Sequence, residues 1–189
     1  MKKQLGMVLL TSSILLMSAC TSAESEAKPI ESKEHVQKDI QKQVQEGDFV
    51  FNIVSKKATY LQGEKPDIYA ELAYIGNEKG VTISYGYSPI TFTKLEETTR
   101  GYTFDASVPA PLSTGVPFTG DKPFRESLQP FGGYIPDEQK DKINFAKQIA
   151  KDSMPKGHYI LHAEAQFSVE KGAKQLSKPL STVISFDVK

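Results

Sequence analysis

Few side chains in this sequence have a type and spacing suited to covalent or acid–base chemistry, and the most distinctive is a lone thiol, Cys20. With a single cysteine in 189 residues no intrachain disulfide is possible, so the thiol calls for an explanation of its own. His158 and His162 share one face of an alternating run, with Glu164 beside them. Four residues of strand separate the two imidazoles by about 13 Å at roughly 3.3 Å per residue, too far to chelate one metal ion. Surface strand residues of this kind are ordinarily solvated, so no metal and no cofactor is expected. The chain lacks HExxH, a Gly-x-Ser-x-Gly elbow, a Walker loop and a dinucleotide-binding glycine pattern. A Ser-His-Asp set assembled from distant residues leaves no local signature, and nothing here points to one. The expectation is therefore a protein that is not an enzyme. Recognition chemistry is better represented: Arg125, one of two arginines with Arg100, lies among aromatic residues where a guanidinium can clamp a carboxylate or stack on a ring.

Cys20 closes the stretch MKKQLGMVLLTSSILLMSAC. Lys2 and Lys3 form a positive start, and Val8 to Met17 is an apolar run too short to span a bilayer, which together have the shape of a secretory signal. The end of that run, Leu16-Met17-Ser18-Ala19-Cys20, resembles the bacterial lipobox, in which small residues precede a cysteine that receives a diacylglyceryl group and becomes the mature N-terminus. Leucine is usual three places before that cysteine, where this chain has Met17. The resemblance implies a lipoprotein signal peptide over residues 1–19, lipidation of Cys20 and a membrane partner reached through that anchor, on the extracytoplasmic face of the cell membrane. Two acyl chains meet the two-signal requirement for stable attachment. The alternative is an ordinary cleavage site followed by a buried thiol.

About 170 residues remain, enough for one domain with a core. The whole chain has zero formal net charge, and without Lys2 and Lys3 it is slightly acidic. A basic stripe and RNA-binding motifs are both missing, so nucleic acid is not an expected partner. Residues 20–47 begin as a charged tether, TSAESEAKPIESKEH, too polar to fold alone. Val36, Ile40 and Val44 then recur at helical spacing, with Ser32 as a possible cap and Gly47 as a stop, which predicts a short helix. Fully extended, the tether reaches on the order of 90 Å at roughly 3.5 Å per residue.

From Asp48 the period changes to two. Phe49, Phe51 and Ile53 alternate, and so do Ile68, Ala70, Leu72 and Tyr74, with Tyr69, Glu71 and Ala73 on the other face. After the Gly76–Gly80 turn, Val81, Ile83, Tyr85 and Tyr87 read as a hairpin partner of that strand, interrupted by Ser88-Pro89 before Ile90 to Lys94. Gly101 to Val108 is a further strand. Tyr159, Leu161, Ala163, Ala165, Phe167 and Val169 form a long apolar series, predicted to pair with Leu180 to Val188 as a terminal hairpin. The expected fold is mainly β, an antiparallel sandwich of about seven short strands over residues 48–189.

Three landmarks, Gly63-Glu64-Lys65-Pro66, Ser88-Pro89 and Pro155-Lys156-Gly157-His158-Tyr159, carry a resemblance over about Asp48 to Lys189. A tyrosine following a Pro-x-Gly turn into a core strand resembles the corner tyrosine of immunoglobulin-like sandwiches. The arrangement is similar to the Ig-like domains of Bacillus-type (Gram-positive) surface lipoproteins of unknown function, and loosely to the intracellular proteinase inhibitor group. It implies an Ig-like fold whose tyrosine hydroxyl bonds back to nearby backbone.

Residues 109–136 depart from a minimal sandwich. The segment is rich in Pro and Gly yet carries Leu112, Phe118, Phe124, Leu128, Phe131 and Tyr134. Either it folds over an open edge and buries those rings, or some stay exposed as a binding surface. Phe118, Phe124, Arg125, Phe131 and Tyr134 are thus the candidate residues for a protein or peptide partner. The competing expectation is a small-ligand carrier or enzyme with a site between this loop and the sheet. Asp137 to Asp152 predicts a short helix with Ile143, Ala146, Ile149 and Ala150 on one face, while Ile143 and Phe145 also allow a strand.

Overall fold

Strand β1 (Ile40–Glu46) turns through Gly47 and Asp48 into β2 (Phe49–Ser55), and here the chain departs from the expected helix. Ile40 and Val44 lie four residues apart, a spacing that serves one helical turn and a strand face equally well. The hairpin decides between them. Gly47 has φ 57°, which a two-residue loop between paired strands demands, and Glu46 sits opposite Phe49. The sandwich therefore begins at β1 rather than at Asp48. The computed structural model describes residues 39–106, 114–131, 139–170 and 179–189. The signal stretch, Cys20, Val36 and Tyr134 lie outside the described residues.

The remaining strands are β3 (Thr59–Tyr60), β4 (Ile68–Tyr74), β5 (Val81–Tyr85), β6 (Ile90–Glu97), β7 (Tyr102–Asp105), β8 (Thr114–Phe118) and β9 (Phe124–Ser127). A helix, α1 (Lys140–Ile149), precedes β10 (Gly157–Ala165), β11 (Ser168–Glu170) and β12 (Leu180–Val188). Three sheets result among the described residues, ordered β1-β2-β4-β9, β3-β12-β10-β6-β7 and β11-β5-β8. All pairings are antiparallel except β3 with β12. The architecture is mainly β and sandwich-like, with β12 of the second sheet lying against β1 and β2 of the first, and it is not a closed barrel.

Period-two patterning explains the core. Phe51, Ile53, Ala70 and Leu72 face inward from the first sheet, and Tyr159, Leu161, Ala163 and Ala165 from the second, all fully buried. Each large apolar side chain so buried contributes about 1.5–3 kcal/mol. The expected terminal hairpin is present, with β10 and β12 paired from Gly157 opposite Val188 to Ala165 opposite Leu180.

Two expected connections are different. β5 does not pair with β4, both of whose edges are taken by β2 and β9; it joins β8 and β11 in the third sheet. The long apolar series after Tyr159 is also broken, at Gln166 and Phe167, between β10 and β11. Alternation continues through the break, so periodicity alone does not reveal it. Its partner strand bends at the same level: the Gln166 N–H donates to the Pro89 carbonyl at 2.9 Å, where Ser88-Pro89 separates β5 from β6. The paired ribbons β5–β6 and β10–β11 thus turn together out of the second sheet into the third.

The helix forms within its predicted span, but its buried side is Phe145, Ala146 and Ile149, with Ala150 exposed. Phe145 stacks on Phe104 at 6.0 Å and meets Tyr102 edge-on at 5.3 Å. α1 is the cover for the β7 side of the second sheet.

Candidate functional site

The Pro/Gly-rich segment is not one loop in its described part: it contributes β8 and β9, edge strands of two different sheets. Pro117 is tolerated in β8 because an edge strand has one side free of ladder bonds. Phe118 is 1% exposed and Phe131 5%, so both belong to the core and present no ring to a partner. Phe124 is half-buried between Phe118 at 5.3 Å and Tyr85 at 5.4 Å. Of the expected partner-binding residues that are described, only Arg125 places a charged group at the surface, with its side chain 58% exposed.

Register brings Arg125 to its neighbours. β9 pairs with β4 so that Arg125 stands opposite Glu71, and Nε and Nη2 both donate to Glu71 Oε2, at 2.9 and 2.6 Å. The carboxylate raises the guanidinium pKa further above its usual range. The same guanidinium lies 4.2 Å from the ring centroid of Tyr69, and Lys56 lies 5.8 Å from that ring while pairing with Asp39 at 2.9 Å. Across the sheet, Gln43 is opposite Asn52, Asn52 opposite Glu71 and Glu71 opposite Arg125. One polar row therefore crosses all four strands on the outer face. Asn52 Oδ1 is buried in it and has no hydrogen-bond partner among the described residues. Tyr69 and Glu71 were legible in the sequence as the non-core face of β4. Their meeting with Arg125 was not, because it depends on a pairing between strands 54 residues apart in sequence.

A concavity lies where β8 meets β5. An open cleft of about 460 Å³ is lined by Thr82, Pro117, Phe118, Thr119 and Glu170 among others. Glu170 accepts a hydrogen bond from Ser84 across Gly115, where an added Cβ would come within 3.3 Å of the carboxylate.

His158 and His162 occupy the outer face of the second sheet as separate pairs. His158 Nδ1 lies 2.8 Å from Asp187 and His162 Nε2 lies 3.0 Å from Glu96, whose carboxyl is held below its ordinary pKa chiefly by the Lys94 ammonium. No group of three His, Cys, Asp or Glu side chains among the described residues is placed to hold a metal ion. Nor does any described helix have the length and apolarity to cross a membrane. No protein family, curated protein or solved structure matches the chain.

Proposed function

We propose that this protein is an envelope lipoprotein of Bacillus type, anchored through a diacylated Cys20 on the extracytoplasmic face of the cell membrane, with an Ig-like sandwich acting as a non-enzymatic binding or accessory module. The observation that carries the anchor is the lone cysteine at the end of a short apolar run opened by Lys2-Lys3. The Ig-like reading draws support from Tyr159, whose hydroxyl donates to the Pro155 carbonyl at 2.6 Å where the chain enters β10. With β1 inside the domain, the tether shortens to residues 21–39 and reaches at most about 65 Å at 3.5 Å per residue. A protein or peptide partner at the 109–136 segment would meet Arg125 rather than Phe118 or Phe131, which lie in the core. Detergent phase partition tests the anchor: wild-type protein is expected in the detergent phase and Cys20→Ser in the aqueous phase or as uncleaved precursor, whereas equal partition of both would refute it.

The open cleft between β8 and β5 favours a second reading, a small-ligand carrier with Glu170 at its wall. Ligand-induced protection of Thr82 and Glu170 amides in hydrogen exchange would select it.

A further inference from the structure

The cleft between β8 and β5 opens on the face of the third sheet opposite fully buried Ile83, and cross-strand register sets its walls. Glu170 stands opposite Thr82 and Thr82 opposite Pro117, while two residues along Ser84 stands opposite Gly115. The Glu170 side chain lies across β5. Its carboxylate accepts the Ser84 hydroxyl, and its two oxygens come within 3.3 and 3.7 Å of the place that a Cβ on Gly115 would take. Glycine at that position of β8 leaves this placement open. The carboxylate is thus fixed at Oε1 by Ser84, and it forms no ion pair among the described residues. Of the described residues that line the cleft, Glu170 alone is charged. The neighbouring hydroxyls spend their protons inside the protein: Ser84 donates to Glu170, and Thr119 to Asp121, whose carboxyl it holds below its ordinary pKa. What either oxygen has left to offer is lone pairs.

We infer that this cleft binds a small organic ammonium ion. Such an ion brings one positive charge and several donors with no acceptor, the complement of a fixed carboxylate beside hydroxyl oxygens whose protons are committed. Its hydrocarbon part can rest against the exposed Pro117 ring and the Thr82 methyl, which is turned toward Gly115. The volume of about 460 Å³ is within the range of small-molecule sites. An anion would meet Glu170 with no cation in the lining to offset it. A divalent metal ion asks for several oxygen ligands carrying more charge, and no three His, Cys, Asp or Glu side chains converge among the described residues. This inference rests on the small-ligand-carrier reading and names its ligand class.

The test is a titration of the full chain in maltoside micelles, followed by amide chemical shifts and calorimetry, with protein-free micelles as the blank. The probes are butylammonium, its neutral counterpart N-butylacetamide, and Ca²⁺. Butylammonium is expected to bind saturably with shifts at Thr82, Gly115, Thr119 and Glu170, and the neutral amide roughly tenfold more weakly, as expected for a lost hydrogen bond to a charged group. Glu170→Gln keeps the size of an exposed side chain, so it should weaken butylammonium binding by about tenfold at an unchanged Tm. Ser84→Ala, which releases the carboxylate from its place over Gly115, should weaken it severalfold. Equal affinity for both butyl compounds, binding untouched by Glu170→Gln, shifts confined to another face, saturation by Ca²⁺ alone, or no saturable binding of butylammonium would each overturn the ammonium assignment. Hydrogen-exchange protection of Thr82 and Glu170 by uncharged or anionic compounds, with butylammonium inert, would overturn it while leaving the carrier reading standing; a cleft protected by compounds of no charge type would remove both.

Discussion

The Tyr159 hydroxyl donates to the carbonyl of Pro155 at 2.6 Å with the ring fully buried, tying the turn before β10 to the strand that follows it. Removing the hydroxyl leaves a carbonyl without its partner while the ring still fills its place against Phe186, 5.3 Å away. Tyr159→Phe is therefore expected to destabilise the fold by about 1–2 kcal/mol, with binding of any surface ligand unchanged. Urea unfolding of the two proteins measures this directly.

Glu97 is fully buried, and its carboxylate accepts the backbone N–H groups of Thr99 and Arg100 at 3.0 and 2.9 Å, closing the turn between β6 and β7. A Cβ on Gly157 would overlap that carboxylate. Gly157→Ala should displace it from the two donors and cost about 2 kcal/mol or more, a larger loss than Gly→Ala brings at an open site. Thermal melting compared with Gly47→Ala, where nothing lies within 4 Å of the added carbon, separates packing from backbone strain.

Burial raises the Tyr60 and Tyr159 hydroxyls above the ordinary value of 10.0. Both groups are neutral in the fold at a pH where the unfolded chain already ionises. Their contribution is complete below about pH 10 and is lost as pH rises from there toward the raised native values. Glu64 and Glu96 act in the opposite sense, since Lys57 and Lys94 lower them from 4.5, so their small contributions persist above that pH and fade as pH falls. Circular dichroism across alkaline pH should show unfolding coincident with tyrosinate absorbance; gradual ionisation of all eight tyrosines with no loss of structure would be inconsistent with this.

β1 is an edge strand, and Lys42 is exposed at a register position opposite core-facing Ile53. An inward-turned lysine on an edge discourages a second chain from adding a strand. Lys42→Val is expected to promote concentration-dependent association visible by light scattering, and the wild-type chain should not share it.

How much of this was legible in the sequence depended on whether a pattern was local. The strands around Phe51, Leu72 and Leu161 follow from period two, and the β10–β12 hairpin from adjacency. The helix over Ile40 and Val44 failed because a four-residue spacing fits both periods, and only the Gly47-Asp48 hairpin distinguishes them. The place of β5 in the third sheet was hidden because the second edge of β4 is taken by β9, distant in sequence. In the candidate site, Arg125 was visible as an unusual residue among aromatics. Its companions Glu71, Tyr69 and Asn52 were not, since only cross-strand register assembles them. Whether the rings of Phe118 and Phe131 were buried or exposed was left open, because the Pro and Gly around Phe118 masked the edge strand β8.

In the proposed function Cys20 becomes a lipid-bearing N-terminus. Intact-mass and peptide mass spectrometry of the protein isolated from membranes of a Bacillus-type host tests it most directly. The expected species is a chain beginning at Cys20 whose thioether carries a diacylglyceryl group. A membrane-purified chain with an unmodified Cys20 thiol, or one beginning at another residue, would contradict it.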